Sequence, residues 1–95
     1  MRESLYNSDF STVFNRLLGK ADISCYRISE FSHIDQGYLS CLRNGTKKNP
    51  SPETVMKIGL ALVHCSDKIS LVDIERLFNS VGRSIRIDRA FVVYN

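Results

Sequence analysis

Ninety-five residues, 43% apolar and 24% charged, describe one globular domain with a modest core and exclude a low-complexity or disordered chain. A formal net charge of +3 permits a polyanionic partner without requiring one. No apolar run approaches the roughly 20 residues of a membrane span, and the opening "MRESLYNSDF" has no signal-peptide core, so a cytoplasmic protein without membrane contact is expected. Cys25, Cys41 and Cys65 are odd in number and widely spaced, as free thiols of a reducing compartment are. No CxxC occurs, and His33 and His64 lack companions at ligand spacing, so neither a metal nor another cofactor is expected.

In chain order, Phe10, Val13, Phe14 and Leu17 keep helical spacing after an N-cap at Ser8 or Asp9, and Gly19 falls near the end, giving a helix over about 9–19. Ser24 caps a second, very short helix whose buried side carries Ile28 and Phe31. "SHID" has weak helix propensity. Asp35 then caps a third segment from Gln36 to Asn44, with Gly45 where positive φ is wanted. "PSPETVMKIGLALV" starts a fourth helix: Ser51 caps, Pro52 fits the first turn, and Glu53 complements the helix dipole. Val55, Ile58 and Leu62 face one way with Met56, Leu60 and Val63 close behind, so burial over much of the helix is expected. "SLVDIERLFNSVG" repeats the pattern, with Ser70 and Asp73 at capping distance and Leu71, Ile74, Leu77, Phe78 and Val81 inward, ending at Gly82.

In the tail, 83–95, Ile85 and Ile87 alternate with Arg86 and Asp88 before "AFVVY", a pattern of strand formers that fits a short strand or hairpin. A lone hairpin is marginal in water, so it would dock on the helices or pair with a second copy. Arg83, Arg86 and Arg89 could form a basic patch, but Asp88 interrupts it and a solvated strand face is the default. The expected fold is all-α: a compact five-helix bundle, with that strand or hairpin as an addition.

The third segment carries the most information. At about 100° per residue, Gln36, Gly37, Ser40, Cys41 and Asn44 share one side, and Tyr38, Leu39 and Leu42 the other. A merely solvated helix would carry Lys, Glu and Arg outward. Small neutral residues suit a close approach, either to a neighbouring helix or to the floor of the DNA major groove, where Gln can bond adenine twice and Ser can donate or accept. From Gln36 through Pro52 there are three basic residues and no acid. Asn44, the backbone around Gly45, Thr46, Lys47 and Lys48 can reach phosphates, and Arg27 near the start of the preceding helix could grip another.

The stretch "ISCYRISEFSHIDQGYLSCLRNGTKKNPSPETVMKIGLALV" resembles the phage repressor and Cro type of helix-turn-helix, the XRE family, without gaps through Gly45. Ser24 matches the family's first cap, Ile28 and Ser29 its Leu-Ala pair, and Ile34 and Asp35 the Val-Ser before its recognition helix. Leu39, Ser40 and Gly45 match its Ile-Ser and closing Gly, and "PSPETVMKIGLAL" its following helix. The resemblance covers about residues 10–64. It implies a helix-turn-helix domain, expected over 1–82 with the motif at about 24–45, while the tail over 83–95 could supply a strand used in dimerisation. It implies base contacts from Gln36, Gly37, Ser40 and Cys41, and places Asn44, Thr46, Lys47 and Lys48 along the backbone; in that frame Arg27, Tyr38 and Arg43 join them as expected phosphate contacts. The chain departs from the family at Cys25, where Gln is usual, at His33, where a small turn residue is, at Arg43, where Glu is common, and at Gly37, which removes a side chain that often reads a base.

No Ser/His/Asp, Cys/His or paired-carboxylate spacing and no Gly-rich phosphate loop points to an enzyme, and no small-molecule substrate is evident. The expectation is therefore a sequence-specific DNA-binding transcriptional regulator, a repressor, acting as a homodimer on double-stranded DNA. The alternative is a protein-interaction module on the same fold that does not bind DNA, such as an antitoxin or accessory subunit.

Overall fold

The computed structural model describes residues 9–82. They form five helices: α1 (Phe10–Ala21), α2 (Cys25–Ser32), α3 (Gln36–Asn44), α4 (Pro52–Cys65) and α5 (Leu71–Gly82). The all-α five-helix bundle is as expected. The proposed strand or hairpin of 83–95 lies outside the described residues.

One core joins the helices. Phe10, Phe14 and Leu17 of α1 meet Ile28, Leu39, Leu42, Val55, Ile58, Leu62 and Leu77, all essentially without exposure. The helix α1 packs on α3, α4 and α5, while α2 packs on α3 and α4. Gly59 lets α4 approach α5: a Cβ there would lie 3.3 Å from Ile74 Cγ2. No helix among the described residues is long and apolar enough to cross a membrane.

Polar punctuation falls where the residues allow it. Asp9, Ser24, Asp35 and Ser51 each accept from a backbone N–H three residues on. The end of α1 differs from expectation. The helix runs past Gly19 to Ala21 and closes at Asp22, in left-handed conformation with φ of 58°. Asp22 N–H donates to the Gly19 carbonyl and Ile23 N–H to the Leu18 carbonyl, the paired bonds of a Schellman ending. Asp tolerates this region better than bulkier residues, so it fills a place usually given to glycine.

Burial was over-assigned at three places. Phe31 is 41% exposed and stacks on His64 at a centroid distance of 4.3 Å, because α2 is short and turns Cys25, Ile28 and Ser32 inward instead. Met56, Leu60 and Val63 are exposed: α4 is buried along Val55, Ile58, Gly59, Ala61 and Leu62 only. Leu71 is 83% exposed, and Ile69, just before the helix, fills the core in its place.

The start of α5 is tied down on two sides. Ser70 N–H donates to Asp73 Oδ2 at 3.0 Å and Asp73 N–H to Ser70 Oγ at 3.4 Å, a reciprocal capping box. Lys20 of α1 reaches the same Oδ2 at 2.7 Å. Burial pushes the Asp73 carboxyl up, but the bonds from Lys20 and Ser70 together outweigh it and hold the group below its ordinary value. A depressed carboxylate stabilises the fold at pH values above its unfolded pKa of about 3.9, and that contribution fades as pH falls toward the lower folded value. Asp73→Asn should therefore destabilise the protein by about 1 kcal/mol at neutral pH. In urea titrations at a series of pH values, the gap to wild type should close as the pH drops below about 4.

Candidate nucleic-acid interface

The segment Gln36–Asn44 is a poor helix by composition, with Gly37, Ser40, Cys41 and Asn44 in nine residues. It forms because Leu39 and Leu42 are 0% exposed against the core and because both ends are capped. Asp35 Oδ2 accepts from Tyr38 N–H at 3.1 Å, and Gly45 closes the other end with φ of 84°. Gly37 has a local reason as well: a Cβ there would stand 2.9 Å from Asp35 Oδ2 and push the cap aside.

The turn into α3 is held by Ser32 and His33. The buried Ser32 Oγ donates to the Ile28 carbonyl at 2.6 Å and accepts from Ile34 N–H at 3.1 Å, stitching the end of α2 to the residue before the Asp35 cap. His33 takes φ of 65°, and its N–H donates to the Ser29 carbonyl. That is the left-handed turn conformation for which the resembled family uses a small residue.

With Leu39 and Leu42 inward, Gln36, Gly37, Ser40 and Asn44 are exposed together. Cys41 is half-buried at the edge of this front. Tyr38, expected inward on the wheel and as a phosphate contact by resemblance, is half-buried and packs on the core.

Beyond the helix the chain folds back. Asn44 Oδ1 accepts from both the N–H and the hydroxyl of Thr46, at 2.9 and 2.6 Å, and Lys47 N–H donates to the Cys41 carbonyl. The Thr46 hydroxyl proton is thereby committed within the loop, leaving the Asn44 amide N–H groups to face outward. Lys47 and Lys48 are exposed. They also complement the negative end of α3, a purely structural reason for basic residues here. At the opposite end, Asp35 sets one carboxylate beside Gln36, so the front is not uniformly cationic.

Arg27 and Arg43 flank an open notch of about 680 Å³, whose lining includes Ser24, Asp22 and Asn15. Arg27 N–H bonds the Ser24 cap, and its guanidinium leans toward Cys65 of α4, with Nη2 3.9 Å from Sγ. Arg43 Nε bonds Asn15 Oδ1 at 2.7 Å. Cys25, at the family's Gln position, is buried. Burial pushes its thiol up, with the Arg43 guanidinium pulling partly the other way.

The structure thus brings Gln36, Gly37, Ser40 and Asn44 onto one face, with Arg43, Thr46, Lys47 and Lys48 at its C-terminal border and Arg27 across the notch. The sequence reading missed Ser32 and Asn15. Ser32 stands in a stretch marked only by weak propensity, and Asn15 occupies an ordinary polar position of an amphipathic helix, its partner 28 residues away. Comparison with family models, with curated proteins and with solved structures finds no match to this chain.

Removing the Ser32 hydroxyl would leave Ile34 N–H without its acceptor inside the turn. Ser32→Ala should cost about 1 to 3 kcal/mol in chemical denaturation, more than an average surface Ser→Ala.

Proposed function

We propose that this chain is a sequence-specific DNA-binding transcription regulator that sets α3 into the major groove of duplex DNA. One observation carries the reading. A helix is anchored from behind by two fully buried leucines and presents a front of Gln36, Gly37, Ser40 and Asn44, bordered by Arg43, Lys47 and Lys48. The uncharged front suits base edges, where Gln36 can bond adenine through two atoms. The cationic border suits phosphates, which fix register without reading sequence. The resemblance to the phage repressor and Cro type supports the same assignment, with a repressor acting in the cytoplasm as its physiological form. A homodimer would set two such helices about one turn of DNA apart on a two-fold symmetric site.

A second reading, a protein-interaction module without DNA affinity, is favoured by one feature: Met56, Leu60 and Val63 lie exposed at helical spacing along α4. Gel shift with a random duplex at low salt separates the two, since the interaction module should not shift it.

For the DNA reading, a site is first selected from randomised duplexes. Gln36→Ala should then cost about 1 to 3 kcal/mol on the selected site and relax preference at one base pair. Lys47→Ala should weaken all sequences alike and lower the slope of log affinity against log salt by about 1. Uniform loss in both variants would show that Gln36 does not read a base.

A further inference from the structure

Asn15 reaches from α1 to α3 and bonds the same residue twice. Its Nδ2 donates to the Arg43 carbonyl at 2.9 Å, and its Oδ1 accepts from Arg43 Nε at 2.7 Å. A single planar amide thus holds both the backbone and the side chain of Arg43. A bond at Nε fixes the plane of the guanidinium, which also lies against the Cys25 thiol, a neutral partner that leaves its charge uncompensated. Among the described residues Arg43 forms no ion pair, the two present being Lys20–Asp73 and Lys57–Glu53. A cation whose orientation is fixed and whose charge is unmatched is prepared for an anion from outside the fold.

Its position says which anion. Asn15 and Arg43 line the notch shared with Ser24 and Arg27, and they also line a shallower one shared with Ser40 and Asn44. Arg43 therefore stands on the border between the start of α2 and the outward face of α3. Asp22 adds one carboxylate to the first notch, against two guanidiniums.

We infer that Asn15 is a positioning residue of the nucleic-acid interface: it holds Arg43 so that the guanidinium edge takes a phosphodiester of the strand flanking the groove that α3 enters. The inference rests on the DNA-binding reading above and adds to it a residue that touches no nucleotide. A guanidinium matches two phosphate oxygens only in the right plane, and fixing that plane before contact removes ordering entropy from the binding step. Asn15 also pins the carbonyl of the last turn of α3, so the same amide sets the angle of the reading helix.

The test is a double-mutant cycle on the full chain. Affinity for a random-sequence duplex is followed by fluorescence anisotropy over a salt series, and the stability of each variant by urea unfolding. Arg43→Ala should lower the salt slope by about 0.9. Asn15→Ala, which changes no charge, should weaken binding about fivefold, the equivalent of one lost hydrogen bond. In the Arg43→Ala background the same change should weaken binding clearly less, the remainder reporting the carbonyl bond alone. Arg43→Lys, which keeps the charge but has no Nε to hold, should resemble Asn15→Ala. Wild-type affinity in a folded Asn15→Ala, or full additivity of the two changes in binding, would overturn the inference while leaving DNA binding intact. Absence of duplex binding by the wild type, or an unchanged salt slope in Lys47→Ala, would overturn the DNA-binding reading and this inference with it.

Discussion

Leu39 and Leu42 are completely withdrawn from water, and that burial decides which way α3 faces. Each contributes about 1.5 to 3 kcal/mol of transfer free energy, far more than any preference of the remaining α3 residues for a particular orientation. Nine residues are too few to hold a helix in isolation, and this composition is worse than average for the purpose. The helix exists because the core it shares with α1 and α2 accepts its two leucines. Everything on the front follows by rotation: 100° per residue carries Gln36, Gly37, Ser40 and Asn44 away from the core and brings Cys41 to its edge.

Rotation alone does not set the tilt or axial position of a short helix, and here polar groups do that work. Ser32 and the left-handed His33 bring the chain out of α2 at a fixed angle, and Asp35 starts α3 at a fixed residue. Gly45 and the Asn44–Thr46 loop close it, and Asn15 ties its last turn to α1. Most of these bonds are local, so they hold α3 without enlarging the hydrophobic core. His33 and Asp22 occupy a backbone region that disfavours side chains, at a cost of roughly 1 kcal/mol each. The surrounding core bears that strain, and a local misfit is tolerated where a connection must be short.

What could be read from the residue order follows from this division. Caps and periodicity are local, so the N-caps Ser24, Asp35 and Ser51, the run of α3 and the φ of Gly45 were legible at residue level, and the first cap was narrowed to Ser8 or Asp9, of which Asp9 serves. Burial is not local. Met56, Leu60, Val63 and Leu71 all keep helical spacing, yet each is exposed, and Phe31 meets α4 only at the surface, where it stacks on His64. Apolar spacing shows that a helix has an inner stripe, but the width of that stripe depends on how many neighbours pack on it. Gly19 misled for a related reason: a glycine near a helix end is a stop signal only if the chain needs positive φ there, and Asp22 supplied it three residues later. The front of α3 was legible because its two inward leucines leave no other arrangement, whereas the Asn15–Arg43 link was not, since no local pattern connects residues 28 apart.

On the DNA-binding reading proposed above, the distribution of charge over α3 and its border matches what the two parts of a duplex require. A lysine or arginine at Ser40 or Cys41 would bind phosphate at many registers and weaken the distinction between one base sequence and another. Neutral donors and acceptors at those positions make little contact unless the bases match. Cations placed at the border, on Arg43, Lys47 and Lys48, would then supply affinity that salt can attenuate, while the uncharged centre would supply the difference between sequences. Asp35 sharpens the division further. Its carboxylate caps the helix, yet it would also repel phosphate at the N-terminal end of the front, so the electrostatic pull on a duplex would come from the other end. An interface charged at one border and neutral at its centre would have a preferred direction along a DNA backbone, and that polarity runs from the Asp35 cap, before the nine residues of α3, to Arg43 in its last turn and Lys47 and Lys48 beyond it.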